Sequence, residues 1–274
     1  MRDLKDHPEL CAINTATLGF QAPVHEVIDE IARAGFGGLA LWRREVDGQD
    51  IKAITKHIRD AGLKVTGYCR STYFPADTMI QRRANIAENA VALHEAAQLG
   101  AENFALVVGT GKDLSDARAQ VIDGIGQLLP LARALGVNLA LEPLHPVYAA
   151  DRSCVTSLAQ ALDICDQLGD PHLGMLIDVY HLWWDAFVAR DIARATGRIA
   201  GFHVSDWLVP VGDVLNNRGM MGDGVIDIPA LRAMVEAAGY SGLVEVEIFS
   251  TQNWWKRPMA ETLRIAKERF GAFV

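Results

Sequence analysis

The stretch Leu139-Ala140-Leu141-Glu142-Pro143-Leu144-His145-Pro146 runs from apolar residues straight into a carboxylate. Three further apolar runs end in the same way, in polar residues at positions 178, 203 and 247. In a barrel of parallel strands the carboxyl ends all face one mouth, so residues far apart in sequence meet there. We therefore expect four side chains to converge: Glu142, Asp178, His203 and Glu247.

The rest of the chain repeats a strand and helix pattern around this stretch. Eight short apolar runs alternate with longer segments of helical periodicity, which is typical of βα units and a parallel sheet. Glycines are expected to end six of the helices: Gly35, Gly62, Gly100, Gly136, Gly169 and Gly239. The 274 residues are close to the roughly 250 of a TIM barrel. We predict a single-domain (β/α)8 TIM barrel over residues 1–274, with a doubly wound sheet as the alternative.

The pattern also gives approximate bounds for the elements. Strands are expected near residues 10–15, 39–42, 63–68 and 103–108, and the last four strands contain the four convergent residues. Helices are expected near residues 24–33, 49–60, 77–99, 156–168, 186–196, 228–238 and 258–270, and one more ends near 135. The segment Ser205–Ile226 exceeds the usual two to six residues of such a connection, which indicates a functional loop.

Composition narrows the classes of function. The net charge of −8 argues against general binding to nucleic-acid phosphates, although a local basic pocket stays open. The first residues lack the apolar core of a signal peptide and no run reaches the length of a membrane span, so we expect a cytoplasmic protein that contacts no membrane. The cysteines form no C-x-x-C pair and are expected to be buried single thiols: Cys11, Cys69, Cys154 and Cys165.

The donor types at the four convergent positions suit a metal ion. Three carboxylates and one imidazole favour one divalent cation such as Mn²⁺, with Mg²⁺, Co²⁺ and Zn²⁺ as alternatives. Four protein ligands would leave open positions for a hydroxyl and a carbonyl of a sugar, whose neighbouring C–H is thereby acidified. Glu142 and Glu247 are then the candidates to move the proton. The alternative is that each acid is a helix N-cap or an ion-pair partner.

These residues resemble the xylose isomerase-like barrel superfamily, especially its sugar isomerase and ketose 3-epimerase branch. The resemblance rests on Glu142, Asp178-x-x-His181, His203 and Glu247, and on Asn217-Arg218-Gly219-Met220-Met221-Gly222-Asp223-Gly224. It implies that the first set holds Mn²⁺ or a similar ion and that the two glutamates serve as acid and base. It further implies that His181 and Arg218 bind the sugar.

Other residues near the predicted mouth are weaker candidates for substrate binding. His145 suits either a substrate hydrogen bond or a rigid loop, and Arg70 suits either a pocket or a salt bridge. Trp183 suits either a sugar-stacking wall or the core. Trp254 and Trp255 suit the pocket or a contact in a homo-oligomer.

Several functions fit this set of residues. The first hypothesis is an isomerase or epimerase that abstracts a proton beside a sugar carbonyl and passes through an enediolate. The alternative is a lyase or dehydratase that acts on a keto-inositol or a 3-keto glycoside with the same metal. We give less weight to an abasic-site endonuclease, because Gly219 replaces the histidine of the expected Asp-Arg-His pattern, and to a sugar-binding barrel without turnover.

Overall fold

The computed structural model describes residues 1–274 as a closed barrel of eight parallel strands, each hydrogen-bonded to the next in chain order. The strands are β1 (Cys11–Asn14), β2 (Gly38–Trp42), β3 (Lys64–Cys69), β4 (Asn103–Leu106), β5 (Asn138–Leu141), β6 (Leu173–Asp178), β7 (Ile199–Val204) and β8 (Val244–Val246). β1 also pairs with β8, which closes the barrel. The predicted TIM barrel is therefore confirmed, and the doubly wound alternative is excluded.

Ten helices accompany the strands. They are α1 (Val24–Ala34), α2 (Arg43–Val46), α3 (Ile51–Asp60), α4 (Met79–Leu99), α5 (Leu114–Leu135), α6 (Leu158–Leu168), α7 (Val179–Leu182), α8 (Val188–Arg194), α9 (Ile228–Ala237) and α10 (Met259–Phe273). The eight longer helices match the predicted ones within a few residues. The one-turn helices α2 and α7 were not predicted, because four residues are too few to show a helical period.

The glycines predicted to end helices all adopt the left-handed backbone conformation, with φ between 60° and 93°. At Gly100, for example, φ is 72° and the amide donates to the carbonyl of Ala97, so the last turn of α4 closes there. This conformation costs glycine little because it has no Cβ. Six helices end at such a glycine, and after each of these the chain turns towards the next strand.

One cluster of 64 buried hydrophobic residues forms the core around the barrel. The inward stripe of α1 illustrates how each helix joins it, because Val27, Ile28 and Ile31 are all buried. The four cysteines are free and buried, as expected from their apolar neighbours. No helix combines the length and the apolar character needed to cross a bilayer.

Candidate metal centre

Four side chains from the last four strands meet at the carboxyl end of the barrel. One ligand atom from each of Glu142, Asp178, His203 and Glu247 lies within 4.8 Å of the others. All four residues are buried, with 1–6% of their surface exposed. Buried carboxylates this close repel one another unless a cation lies among them, so the geometry is that of a site that could hold a metal ion.

The strand register explains why these residues meet. Asp178 ends β6 and is paired with His203 on β7, so the two side chains lie at the same level of the barrel. Glu142 and Glu247 are the first residues after β5 and β8, and their amides still donate to the neighbouring strands, to Leu106 and Val204. Each donor thus sits at the rim, where the barrel interior opens.

His203 presents different partners to its two ring nitrogens. Nε2 lies 3.1 Å from Oε1 of Glu245, whereas the buried Nδ1 has no hydrogen-bond partner. The contact with Glu245 orients the ring so that Nδ1 faces the cluster, 3.5 Å from Oε2 of Glu247. An imidazole held in this way by a carboxylate is the usual arrangement of a metal-ligating histidine, so the residues fit the ion that their chemistry implies.

Glu245 was not predicted as part of the site. It is buried on β8, and its carboxylate accepts hydrogen bonds from Thr66 at 2.7 Å and from Asn14 at 2.9 Å. Asn14 also donates to Glu247 at 3.1 Å, so one amide connects both glutamates. Glu245 and Glu247 are two positions apart in the sequence, and this spacing puts both side chains on the same face of a strand. The sequence therefore carried a signal for Glu245.

The three carboxyl groups of the cluster differ in how the protein shifts their pKa. Burial, together with the charges of Glu247 and Asp178, raises the pKa of Glu142 to about 8. Burial also raises the pKa of Asp178, although Arg218 opposes this. Burial acts to raise the pKa of Glu247 as well, but His203 and Arg218 hold it below its ordinary value. The two glutamates therefore differ in protonation near neutral pH in the metal-free protein.

Arg218 reaches this cluster from the long loop between β7 and α9. Its guanidinium lies 2.8 Å from Asp178 and 3.2 Å from Glu247. The loop is held by Asp206, whose carboxylate accepts hydrogen bonds from four backbone amides, those of residues 207, 222, 224 and 226. Gly224 is required here, because an added Cβ would lie 2.1 Å from the carbonyl oxygen of Trp207.

A cavity of about 270 Å³ opens above the cluster. Of the four convergent donors, Glu142 and Glu247 line the cavity, whereas Asp178 and His203 do not. Three of the residues predicted to bind substrate also line it: Arg70, His181 and Arg218. The Nδ1 of His181 accepts a hydrogen bond from the amide of His145 at 3.2 Å, and its Nε2 lies 3.3 Å from a guanidinium nitrogen of Arg218.

Two predicted substrate-binding residues, His145 and Trp183, are not among those that line the cavity. The ring of His145 stacks on Trp207 at 4.9 Å, and its Nδ1 accepts from the amide of Val147. It therefore stabilises its own loop. Trp183 packs against the core, with its ring 5.7 Å from Trp207. The position of His145 thus matches the rigid-loop alternative, and that of Trp183 matches the core alternative.

The aromatic wall of the cavity comes instead from other residues. It consists of Phe20, Trp42, Phe249 and Trp255, whose rings contact one another at centroid distances of 5.5–6.2 Å. Trp254, next in sequence to Trp255, is buried. The sequence offered the pocket as one of two alternatives for Trp255, and the structure places Trp255 in the wall. Sequence reasoning missed Phe20, because it lies on a segment without strand or helix periodicity.

Comparison with known proteins identifies the family of the chain. The sequence profile of the xylose isomerase-like TIM barrel matches residues 28–269. The chain belongs to this family. The crystal structure of a protein from Sinorhizobium meliloti 1021 is similar, with a TM-score of 0.95, 47% identity, and coverage of 97% of this chain and 99% of that one. The family predicted from the metal-site residues is therefore confirmed.

Two relatives with a named activity are an epimerase and an isomerase. An L-ribulose 3-epimerase of Mesorhizobium japonicum is 24% identical over 272 residues, which cover 90% of this chain and 86% of the epimerase. An inosose isomerase of Bacillus licheniformis is 29% identical over 157 residues, which cover 56% of this chain and 54% of the isomerase. The match to the latter thus spans about half of that relative's length.

Proposed function

We propose that this chain is a sugar isomerase or epimerase that depends on a divalent metal ion and moves a proton at a carbon next to a carbonyl. The supporting observation is the division of the four donors. Two carboxylates of the cluster face the cavity, while the other carboxylate and the imidazole lie away from its wall. This leaves Glu142 and Glu247 in reach of a substrate and assigns Asp178 and His203 to holding the ion.

Glu142, Asp178, His203 and Glu247 would together hold the ion. The oxygen-rich donor set favours Mn²⁺, with Mg²⁺, Co²⁺ and Zn²⁺ as alternatives. When bound, the cation supplies Lewis acidity, which polarises a carbonyl and a neighbouring hydroxyl and acidifies the C–H between them.

The two glutamates are suited to opposite roles. The pKa of Glu142 is raised to about 8 by burial and by its acidic neighbours, whereas that of Glu247 is lowered by His203 and Arg218 despite its burial. These pKa directions are those of the metal-free protein, and a bound cation would lower both values. Because both carboxyl groups line the cavity, we assign Glu247 as the proposed proton acceptor and Glu142 as the proposed donor.

The sugar would be held by polar groups on one side and aromatic rings on another. His181 lies in the cavity wall, and burial together with the charge of Arg218 lowers the pKa of His181 well below its ordinary value, so the ring is neutral. Arg218 stacks 4.4 Å above the ring of Tyr180, which fixes the plane of its guanidinium. Both side chains can bind substrate oxygens while the aromatic wall covers the apolar face of the sugar.

Proton exchange with solvent tests this proposal directly. The metal-stripped protein would be incubated in D₂O with ketoses, aldoses and inososes, with each of the four cations added in turn. We expect deuterium at one carbon beside the carbonyl, only with a cation present, measured by NMR and mass spectrometry. Loss of water without recovery of an isomer would instead assign the elimination chemistry.

A substitution of Glu247 tests whether this residue is the base in the deuterium exchange. Glu247→Gln keeps the shape of the side chain but cannot accept a proton, so the exchange rate should fall by about 10²–10⁴-fold. Glu268→Gln, on the exposed face of α10, is the matched control. Exchange at the wild-type rate in the Glu247 variant would refute the mechanism.

A further inference from the structure

Three arginines line the cavity without an ion-pair partner. Arg44, Arg70 and Arg152 all belong to the cavity wall, and none lies within ion-pair distance of a carboxylate. Neither Arg44 nor Arg152 donates a hydrogen bond from its guanidinium, and Arg70 donates only to the carbonyl of Ser71 at 3.2 Å. By contrast, the adjacent Arg43 pairs with Glu88. We call the first three the wall arginines.

Each wall arginine lies against an aromatic ring. The guanidinium carbon is 4.1 Å from the ring centroid of Phe20 for Arg44, and 4.7 Å from that of Tyr73 for Arg70. For Arg152 the distance to the ring centroid of Tyr148 is 5.8 Å. Packing on a ring holds a guanidinium in place and leaves its N–H groups free to bind an anion in a forked geometry.

The balance of charge in the wall supports a role beyond packing. The acidic residues that line the cavity are Glu142 and Glu247, and both belong to the metal cluster. The fourth cavity arginine, Arg218, is already paired with Asp178 and Glu247. No carboxylate of the cavity wall is therefore left to pair with the wall arginines. Glu45 lies near Arg44 and Asp213 near Arg152, but both are outside the wall and beyond ion-pair distance. Arg70 and Arg152 are also half-buried, which strengthens their attraction for an anion.

We propose that the substrate carries an anionic group, a phosphate or a carboxylate, which binds to the wall arginines. This inference rests on the proposed function, because it places the reacting carbons over the metal cluster. Arg44 and Arg70 also line an open groove next to the cavity. The cavity itself, at about 270 Å³, is at the small end of ligand sites and suits a single monosaccharide.

Matched substrates test the proposal and separate the two sources of negative charge. The metal-loaded protein would be given a neutral ketose, the same ketose with a terminal phosphate, and the analogue with a terminal carboxylate. We expect kcat/KM for one of the anionic compounds to exceed that for the neutral one by about 10–100-fold, the range of one or two charge-assisted hydrogen bonds. The anion that gains more identifies the group. A neutral ketose that reacts as well as both anions would overturn the inference.

Substitutions of the wall arginines test whether these residues cause the preference for an anionic compound. Arg70→Gln and Arg152→Gln should each reduce the ratio of kcat/KM for the anionic and neutral compounds by about 10-fold or more. Arg264→Gln removes the same charge from the exposed face of α10, where Arg264 pairs with Glu268, and should leave the ratio unchanged. Circular dichroism would show that each variant is folded. An unchanged ratio in both cavity variants would overturn the inference.

A binding measurement separates failure of this inference from failure of the proposed function. Deuterium exchange into neutral and anionic sugars at equal rates would overturn the inference and leave the proposed function standing. If no sugar exchanged deuterium with any cation, the proposed function would fail. Calorimetry with the same three compounds would then decide the inference alone. Tighter binding of an anionic sugar, lost in Arg70→Gln, would support it, and equal or undetectable binding of all three would overturn it.

Discussion

At the scale of single residues, the contact between Glu245 and His203 supports one of the four proposed ligands of the cation. The carboxylate lies 3.1 Å from Nε2 and is itself held by Thr66 and Asn14. Glu245 does not line the cavity, so it acts through His203 as a positioning residue. Its effect should therefore appear in the affinity for the cation.

We predict that Glu245→Gln raises the dissociation constant for the cation by about 10–100-fold, because the amide no longer stabilises the Nε2–H group of His203 as a carboxylate does. Isothermal titration calorimetry on the metal-stripped protein measures this change. Glu88→Gln, at an exposed position outside the cluster, is the control. A variant that lost thermal stability but bound the cation as tightly as the wild type would show that Glu245 has only a structural role.

The raised pKa of Glu142 predicts a pH dependence of stability in the metal-free protein. The unfolded chain releases the proton near the ordinary pKa of 4.5, whereas the folded protein keeps it up to about 8. The contribution of protonated Glu142 to the free energy of unfolding is thus fully present below pH 4.5 and is lost as the pH rises to 8. In Glu142→Gln this decline should be smaller by at least about 1 kcal/mol. Urea unfolding at several pH values measures the free energy of unfolding of both proteins. An equal decline with pH in the wild type and in Glu142→Gln would contradict the prediction.

At the scale of elements, the loop between β7 and α9 depends on one side chain. Asp206 accepts four backbone hydrogen bonds, and its own backbone pairs with Gly219, next to Arg218. The loop has no regular helix or strand, so these bonds supply the order that secondary structure would otherwise give. They hold Arg218 in place although it lies 15 residues after His203 in the sequence.

We predict that Asp206→Ala lowers the free energy of unfolding by about 1–3 kcal/mol, because one buried and three partly buried amides lose their acceptor. It should also reduce sugar turnover, since Arg218 loses its support. Val211→Ala, at an exposed position in the same loop, removes no hydrogen bond and should change stability by less than about 0.5 kcal/mol. Denaturant titration and the exchange assay measure the two effects. Full activity in the Asp206 variant would contradict this account of the loop.

The elements themselves were largely predictable, whereas the contacts of the site were predictable only in part. Glycine endings and apolar periods are local signals, so the barrel followed from the sequence. The four convergent donors followed because parallel strands bring their carboxyl ends together. The hydrogen bond from Asn14 to Glu245 joins residues 231 positions apart, and no local pattern specifies such a pair. The position of Trp183 was equally undetermined, because an aromatic residue suits a core and a pocket alike.

At the scale of the whole molecule, the cation should act as a stabilising ligand. A ligand at 100 times its dissociation constant that binds only the folded state adds about 2.7 kcal/mol. For a chain of this size we expect the melting temperature to rise by about 5–10 °C. His203→Gln should lose this shift, and His94→Gln, at an exposed position on α4, should keep it. Scanning calorimetry with and without the cation provides the measurement, and an unchanged melting temperature would argue against a metal site.

The two halves of the barrel contribute different parts of the site. The four proposed ligands follow or end β5 to β8, while Phe20, Trp42, Arg44 and Arg70 follow or end β1 to β3. Part of the cavity wall is thus encoded apart from the four proposed ligands. Substitution of Phe20, Arg44 or Arg70 changes this wall and leaves the proposed ligands and the residues that support them in place, so these three codons are natural targets for engineering new specificities.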